Sequence, residues 1–150
     1  MVSSDYEDLF KILNAHRVKY LVVGAHAVIY YTKPRFTKDI DVWIPPELND
    51  SKNVYAALKK YGAPLRGISP RNFTDKGLIY QIGVAPVRID IMMSVGGVSA
   101  KKAWKTREKS KYGKATISIL SKENLIQAKE EAGRPGDLAD LRKLERRPRK

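Results

Sequence analysis

The stretch from Val22 to Ile44, VVGAHAVIYYTKPRFTKDIDVWI, constrains this chain more than any other. It holds an apolar run stopped by Gly24, a segment of helical character, a basic loop, and a second apolar run containing Asp39 and Asp41. Residues two apart on a strand point to the same face. If Asp39-Ile40-Asp41-Val42 is a strand, two carboxylates therefore project together from an otherwise apolar element. Such a pair is unfavourable unless a cation or basic side chains compensate it. A fold that tolerates it must bring that compensation from elsewhere in the chain.

A third carboxylate qualifies. Asp90 stands in Val87-Arg88-Ile89-Asp90-Ile91-Met92, which reads as a strand with apolar residues on both sides of the aspartate. If that strand lies beside Asp39–Ile44, Asp39, Asp41 and Asp90 meet on one face. Three carboxylates form a hard oxygen site suited to Mg²⁺ or Mn²⁺, able to clamp a triphosphate for an in-line displacement. Separate salt bridges to Lys or Arg are the plainer alternative. Gly24, where a strand opens into a helix, would present backbone N–H groups to an anion, although an ordinary tight turn also explains it. Arg35 and Lys38 on the intervening loop would add phosphate contacts.

The rest of the chain reads as α/β (α+β), with a mixed β-sheet flanked by helices. Helices are expected from Ser3 or Ser4 to about Asn14–His16, over Ala25–Tyr31, from Asn49–Ser51 to Tyr61, over Ser99–Lys109, from Ser121 to Ala132, and over Leu138–Arg146 capped by Asp137. Strands are expected at Lys19–Val23, Asp39–Ile44, Gly77–Ile82, Val87–Met93 and Ala115–Leu120, with Gly83–Pro86 as a hairpin connection and 62–75 as loop. At 150 residues, 43% hydrophobic and 30% charged, the chain fits one domain. Its core spans about 17–95 and its helical C-terminal part about 121–147.

Bulk properties narrow the partners. The absence of cysteine excludes disulfides and thiolate metal sites. No run approaches the ~20 apolar residues of a membrane span. The opening MVSSDYEDLF lacks the basic and apolar regions of a signal peptide, so a cytoplasmic setting is expected. Net charge is +13, and 18 of the 29 Lys/Arg fall in residues 76–150. Gly97–Lys114 holds seven basic residues and one acidic; Arg142–Lys150 holds six and one. Clustered positive charge suits nucleotide phosphates or nucleic acid; a merely solvated surface is the alternative.

In order, Gly24-Ala25-His26-Ala27, Arg35-Phe36-Thr37-Lys38-Asp39-Ile40-Asp41 and Arg88-Ile89-Asp90 resemble the nucleotidyltransferase superfamily of DNA polymerase beta type. They are most similar to its small prokaryotic branch of minimal nucleotidyltransferases and AbiEii-like toxins. The resemblance covers about Tyr20–Met93, and Glu130–Leu144 resembles the helical end of that branch. It implies metal-dependent transfer of an NMP from an NTP, such as ATP, to a hydroxyl of RNA, protein or a small molecule. Asp39 and Asp41 would be metal ligands, and Asp90 a ligand or the base for the acceptor proton. Gly24 and Ala25 would form the phosphate turn. Lys129 matches a lysine used near the nucleotide, and Asp137 and Asp140 match acidic positions of the last motif. A tRNA substrate and a cognate antitoxin are partners implied by the same branch.

Independently, Leu125 and Ile126 put Lys129 on the apolar face of its helix, where an inward lysine needs an anionic partner and an outward one would snorkel. A cap explains Asp137 equally well, and a pair with Arg134 or Lys143 explains Asp140. Ala25 departs from the pattern, because many members carry Ser or Gly there. A degenerate module that binds nucleic acid through its basic surface is therefore a competing reading, and a metal-dependent nuclease a third. His16 and His26 lack ligand spacing. His26 could contact the nucleotide or lie on a helix surface. Trp43 and Trp104 read as packing residues, with Trp104 the better base-stacking candidate.

Overall fold

The computed structural model describes residues 4–32, 39–84 and 87–146. Their order is α1 (Ser4–Ala15), β1 (Leu21–Val23), α2 (Gly24–Tyr31), β2 (Asp39–Trp43), α3 (Ser51–Tyr61), β3 (Ile79–Val84), β4 (Val87–Met92), α4 (Ala100–Lys105), β5 (Glu108–Tyr112), β6 (Ala115–Ile119), α5 (Lys122–Ala132) and α6 (Pro135–Arg146). The strands form one mixed sheet in the order β3-β4-β2-β1-β6-β5. β1 runs antiparallel to β2 and parallel to β6, β2 runs parallel to β4, and the β3–β4 and β5–β6 pairs are antiparallel.

Register assigns the two faces. Partnered residues share a face, so Val22, Ile40, Val42, Ile89, Ile91, Ile117 and Ile119 form one buried apolar face. α1 covers it, burying Leu9, Phe10 and Leu13, and α3 packs on α1 with Val54, Ala57 and Leu58 buried. The opposite face carries Asp39, Asp41, Arg88 and Asp90 in its middle. α2 lies against β1 and β2 and touches α5 and α6. Burying each large side chain of this core contributes about 1.5–3 kcal/mol.

Local chemistry sets the element ends. Asp50 caps α3 by accepting from the Lys52 amide at 2.9 Å, and Gly62 closes that helix in a left-handed turn. Ser121 caps α5 by accepting from the Asn124 amide at 3.2 Å.

Three expectations need correction. The basic helix stops at Lys105, not Lys109, and Glu108–Tyr112 is an edge strand. Tyr112 explains the change: its ring meets Phe10 at 5.5 Å and Tyr6 at 6.2 Å, contacts that an extended backbone makes and a continued helix would forgo. The 62–75 loop contains a short 3-10 turn, Pro70–Thr74, that buries Phe73. The last helix starts at Pro135, a residue suited to a first helical position, so Asp137 lies within its first turn rather than at its cap. None of the helices among the described residues is long and apolar enough to cross a membrane.

Candidate functional site

β1 ends where α2 begins, and Gly24 is the joint. Its φ of +66° is left-handed, a conformation glycine adopts without steric cost. A Cβ built there would stand 2.1 Å from Asp41 Oδ2. Gly24 thus allows both the turn and the close approach of a carboxylate. Val23 occupies the cap position of α2, and its side chain makes no cap hydrogen bond. The first-turn amides point out at the positive end of the helix dipole.

β2 and β4 pair in parallel with Asp39 opposite Arg88 and Asp41 opposite Asp90. Asp39, Asp41 and Asp90 each offer one carboxylate oxygen, and the three oxygens lie within 4.8 Å of one another. The Asp-x-Asp spacing puts Asp39 and Asp41 on one face, and the β2–β4 pairing brings Asp90 to them. Burial, then Asp39, then Asp90 push the Asp41 carboxyl up to about 6, against partial relief from Lys129 and Arg88. Arg88 forks onto Asp90, with Nε 3.1 Å from Oδ1 and Nη2 3.1 Å from Oδ2. Asp90 is only 9% exposed, while the Arg88 side chain is 41% exposed.

Lys129 turns inward. Its Nζ lies 3.1 Å from Asp137 Oδ1 and 3.3 Å from Asp140 Oδ2. This ties α5 to α6 and settles the choice between inward and outward lysine. It also shows that Asp140 pairs with Lys129. Asp137 accepts from the Arg134 backbone amide at 3.2 Å and from Arg134 Nε at 2.6 Å, so it reaches back to the residue preceding the helix. Arg134 first and then Lys129 hold the Asp137 carboxyl down to about 2. Lys129 and Arg134 both feel the charge of Asp41, so the α5–α6 end borders the three-carboxylate group.

Two pairings differ from the sequence reading. Arg88 was visible as a neighbour on the face of Asp90, but not as its fork. Arg134, which the sequence offers as a partner of Asp140, instead pairs with Asp137 three residues on, a local contact at the start of α6. Arg35 and Lys38 lie outside the described residues. Ala25 sits half-buried in the first turn of α2. His26 is half-buried, its ring 5.9 Å from Tyr6 and 6.3 Å from Tyr112. Burial lowers its pKa against the pull of Asp39, and its buried Nε2 has no hydrogen-bond partner among the described residues. Trp43 is buried and donates to the Met93 carbonyl at 3.1 Å. Trp104 is half-buried and carries the Arg107 guanidinium 3.8 Å above its ring.

The donor set suits a hard divalent cation. It is all carboxylate, its three oxygens lie within 4.8 Å of one another, and burial followed by the neighbouring carboxylates raises Asp41, a cost that a cation would relieve.

Solved structures share this architecture. The antibiotic-resistance factor ANT(2'')-Ia aligns with a TM-score of 0.65 at 12% identity, covering 94% of this chain and 80% of that one. The lincosamide antibiotic adenylyltransferase LnuA aligns at 0.58 and 14%, covering 96% and 97%. A protein of Thermotoga maritima described as a candidate nucleotidyltransferase aligns at 0.60 and 17%, covering 97% and 96%. At these identities the likeness establishes the fold. No curated protein matches by sequence. Residues 2–150 match the family described as "Nucleotidyl transferase of unknown function (DUF2204)". With that match spanning nearly the whole chain, and the fold in agreement, the chain belongs to this nucleotidyl transferase family within the nucleotidyltransferase superfamily.

Proposed function

We propose that the protein transfers an NMP from an NTP to a hydroxyl acceptor, with Asp39, Asp41 and Asp90 holding Mg²⁺ or Mn²⁺. The observation that carries this reading is the in-register convergence of three carboxylates beside a glycine-opened helix terminus. The cation supplies charge neutralisation at the phosphates and polarisation of the attacking oxygen. The α2 amides take phosphate oxygens, with Arg35 and Lys38, which precede β2 in the sequence, as further phosphate contacts. Lys129, positioned by Asp137 and Asp140, adds positive charge beside Asp41. The acceptor oxygen bonds to the α-phosphorus, the bond to the bridging oxygen breaks, and pyrophosphate leaves. In this reading Asp90 serves as a metal ligand or as the base that takes the acceptor proton, and Arg88, forked onto it, would have to yield to either role.

The acceptor is RNA, protein or a small molecule. By the AbiEii-like resemblance, a place in a toxin–antitoxin pair belongs to this proposal. The test incubates α-labelled NTPs and Mg²⁺ with tRNA and with cell extract. Label transfer that Asp39→Ala and Asp41→Ala abolish, with circular dichroism unchanged, supports it. Absence of both transfer and nucleotide binding refutes it. Ala25, which offers no hydroxyl to phosphate, favours the second reading, a degenerate nucleic-acid-binding module. That reading predicts nucleic-acid binding indifferent to all three aspartates.

A further inference from the structure

The carboxylate face of the sheet continues beyond α2 to a basic edge. Ile119 pairs with Val22, so Ser118 lies on the opposite face with Val23, Asp41 and Asp90. Lys109 pairs with Ser118 and Lys111 with Thr116, placing both lysines on that same face. Lys111 Nζ donates to Thr116 Oγ1 at 3.0 Å. Lys109 stands level with Leu21 and Trp43, two residues along the strand from Asp41 and three strand spacings across, or about 16 Å away. Lys101, Lys102, Lys105 and Lys114 are exposed on the flanking α4 and hairpin turn. Glu108, the sole acid of Gly97–Lys114, pairs with Ile119 and so lies on the other face.

We propose that this α4–β5 edge grips the sugar–phosphate backbone of a single-stranded nucleic acid, whose terminal hydroxyl is the acceptor at the triad. The acceptor half of this statement rests on the function proposed above. The intervening distance corresponds to about five stacked nucleotides at 3.4 Å each. Edge lysines also discourage strand pairing, which accounts for Lys109 and Lys111 but not for the lysines of α4. A protein partner would call for an apolar centre. The exposed large hydrophobic residues, among those described, are Ile79, Val84 and Leu138, none of them in this segment. Concentrated positive charge without exposed large apolar side chains matches a phosphate backbone. Trp104 offers little as a base platform on the ring face that Arg107 covers, so charge and not stacking carries the grip.

The test is fluorescence anisotropy of a labelled, mixed-sequence single-stranded oligoribonucleotide with the full chain, without NTP, over a range of salt. Wild type is expected to bind with a steep salt slope. The Lys109→Glu/Lys111→Glu double variant should bind more than tenfold more weakly. Its slope should be shallower by about 1.4, because each phosphate contact on a single strand contributes about 0.7. Lys109→Gln/Lys111→Gln, checked by thermal melting, serves if charge reversal disturbs the fold. Salt-insensitive binding overturns the proposal, as does binding indifferent to these lysines. Competition by polyglutamate equal to that by RNA also overturns it and assigns the edge to an acidic protein. Lysine-dependent binding without NMP transfer would keep this surface and refute the proposed enzyme. Transfer to acceptors without oligonucleotide binding would do the reverse.

Discussion

Replacing Asp41 with asparagine should stabilise the metal-free protein. Asp41 is squeezed between Gly24 and two other carboxylates, and its carboxyl is raised from 3.8 to about 6 by burial, Asp39 and Asp90. Each pKa unit corresponds to 1.36 kcal/mol, so ionising this group in the folded state costs about 3 kcal/mol. The raised value means that protonation favours the fold. That contribution is fully present below pH ~4 and is lost as pH rises through about 6. Asp41→Asn removes the charge with little change of shape. In a chelator at pH 8 the variant should melt higher by about 6–12 °C, given roughly 2–4 °C per kcal/mol at this size. The gap should shrink towards zero as pH falls from about 6 to about 4. Added Mg²⁺ should raise the melting temperature of wild type and leave the variant unchanged. Melting followed by circular dichroism at several pH values reads all three. A variant less stable than wild type at pH 8, or a gap that ignores pH, would refute the electrostatic reasoning.

Three further outcomes follow from the same geometry. Gly24→Ala combines a left-handed φ with a Cβ 2.1 Å from Asp41 Oδ2; it should cost at least about 1–2 kcal/mol in chemical denaturation and weaken Mn²⁺ binding by displacing the carboxylate. Ala25→Ser would offer phosphate a hydroxyl; one new hydrogen bond of about 1 kcal/mol should tighten NTP binding about fivefold by calorimetry. Asp137→Asn should destabilise by about 3 kcal/mol at neutral pH, because it strips a buried ion pair. Since Arg134 and Lys129 hold Asp137 down to about 2, its contribution is present above pH ~4 and is lost as pH falls through about 2. Urea midpoints of wild type and variant should therefore converge in acid.

What the sequence disclosed was mainly the chemistry that is local along the chain. Asp39 and Asp41 declare themselves by strand alternation, and Gly24 by its place between an apolar run and a helix. That Asp90 stands opposite Asp41 depends on the parallel pairing of β2 with β4, which no local pattern encodes. Leu125 and Ile126 put Lys129 on the apolar face of its helix but left inward and outward both open, because the partners that decide it lie on a separate helix. β5 was misread because Glu108-Lys109-Ser110-Lys111 is as compatible with a charged helix as with an edge strand. The packing of Tyr112 on Phe10 decides it. The Asp137 assignment missed by one role, since Pro135 moves the helix start and turns a presumed cap into a residue that reaches back to Arg134.

The central claim is that Asp39, Asp41 and Asp90 form one cation site that holds a triphosphate. Electron paramagnetic resonance of Mn²⁺, titrated into the protein with an NTP analogue that cannot be cleaved between its α- and β-phosphates, tests it most directly. The account predicts bound Mn²⁺ whose affinity rises with the analogue and which is lost in each of Asp39→Asn, Asp41→Asn and Asp90→Asn. Mn²⁺ binding that survives all three substitutions, or that is absent from folded wild type with the analogue present, would contradict it.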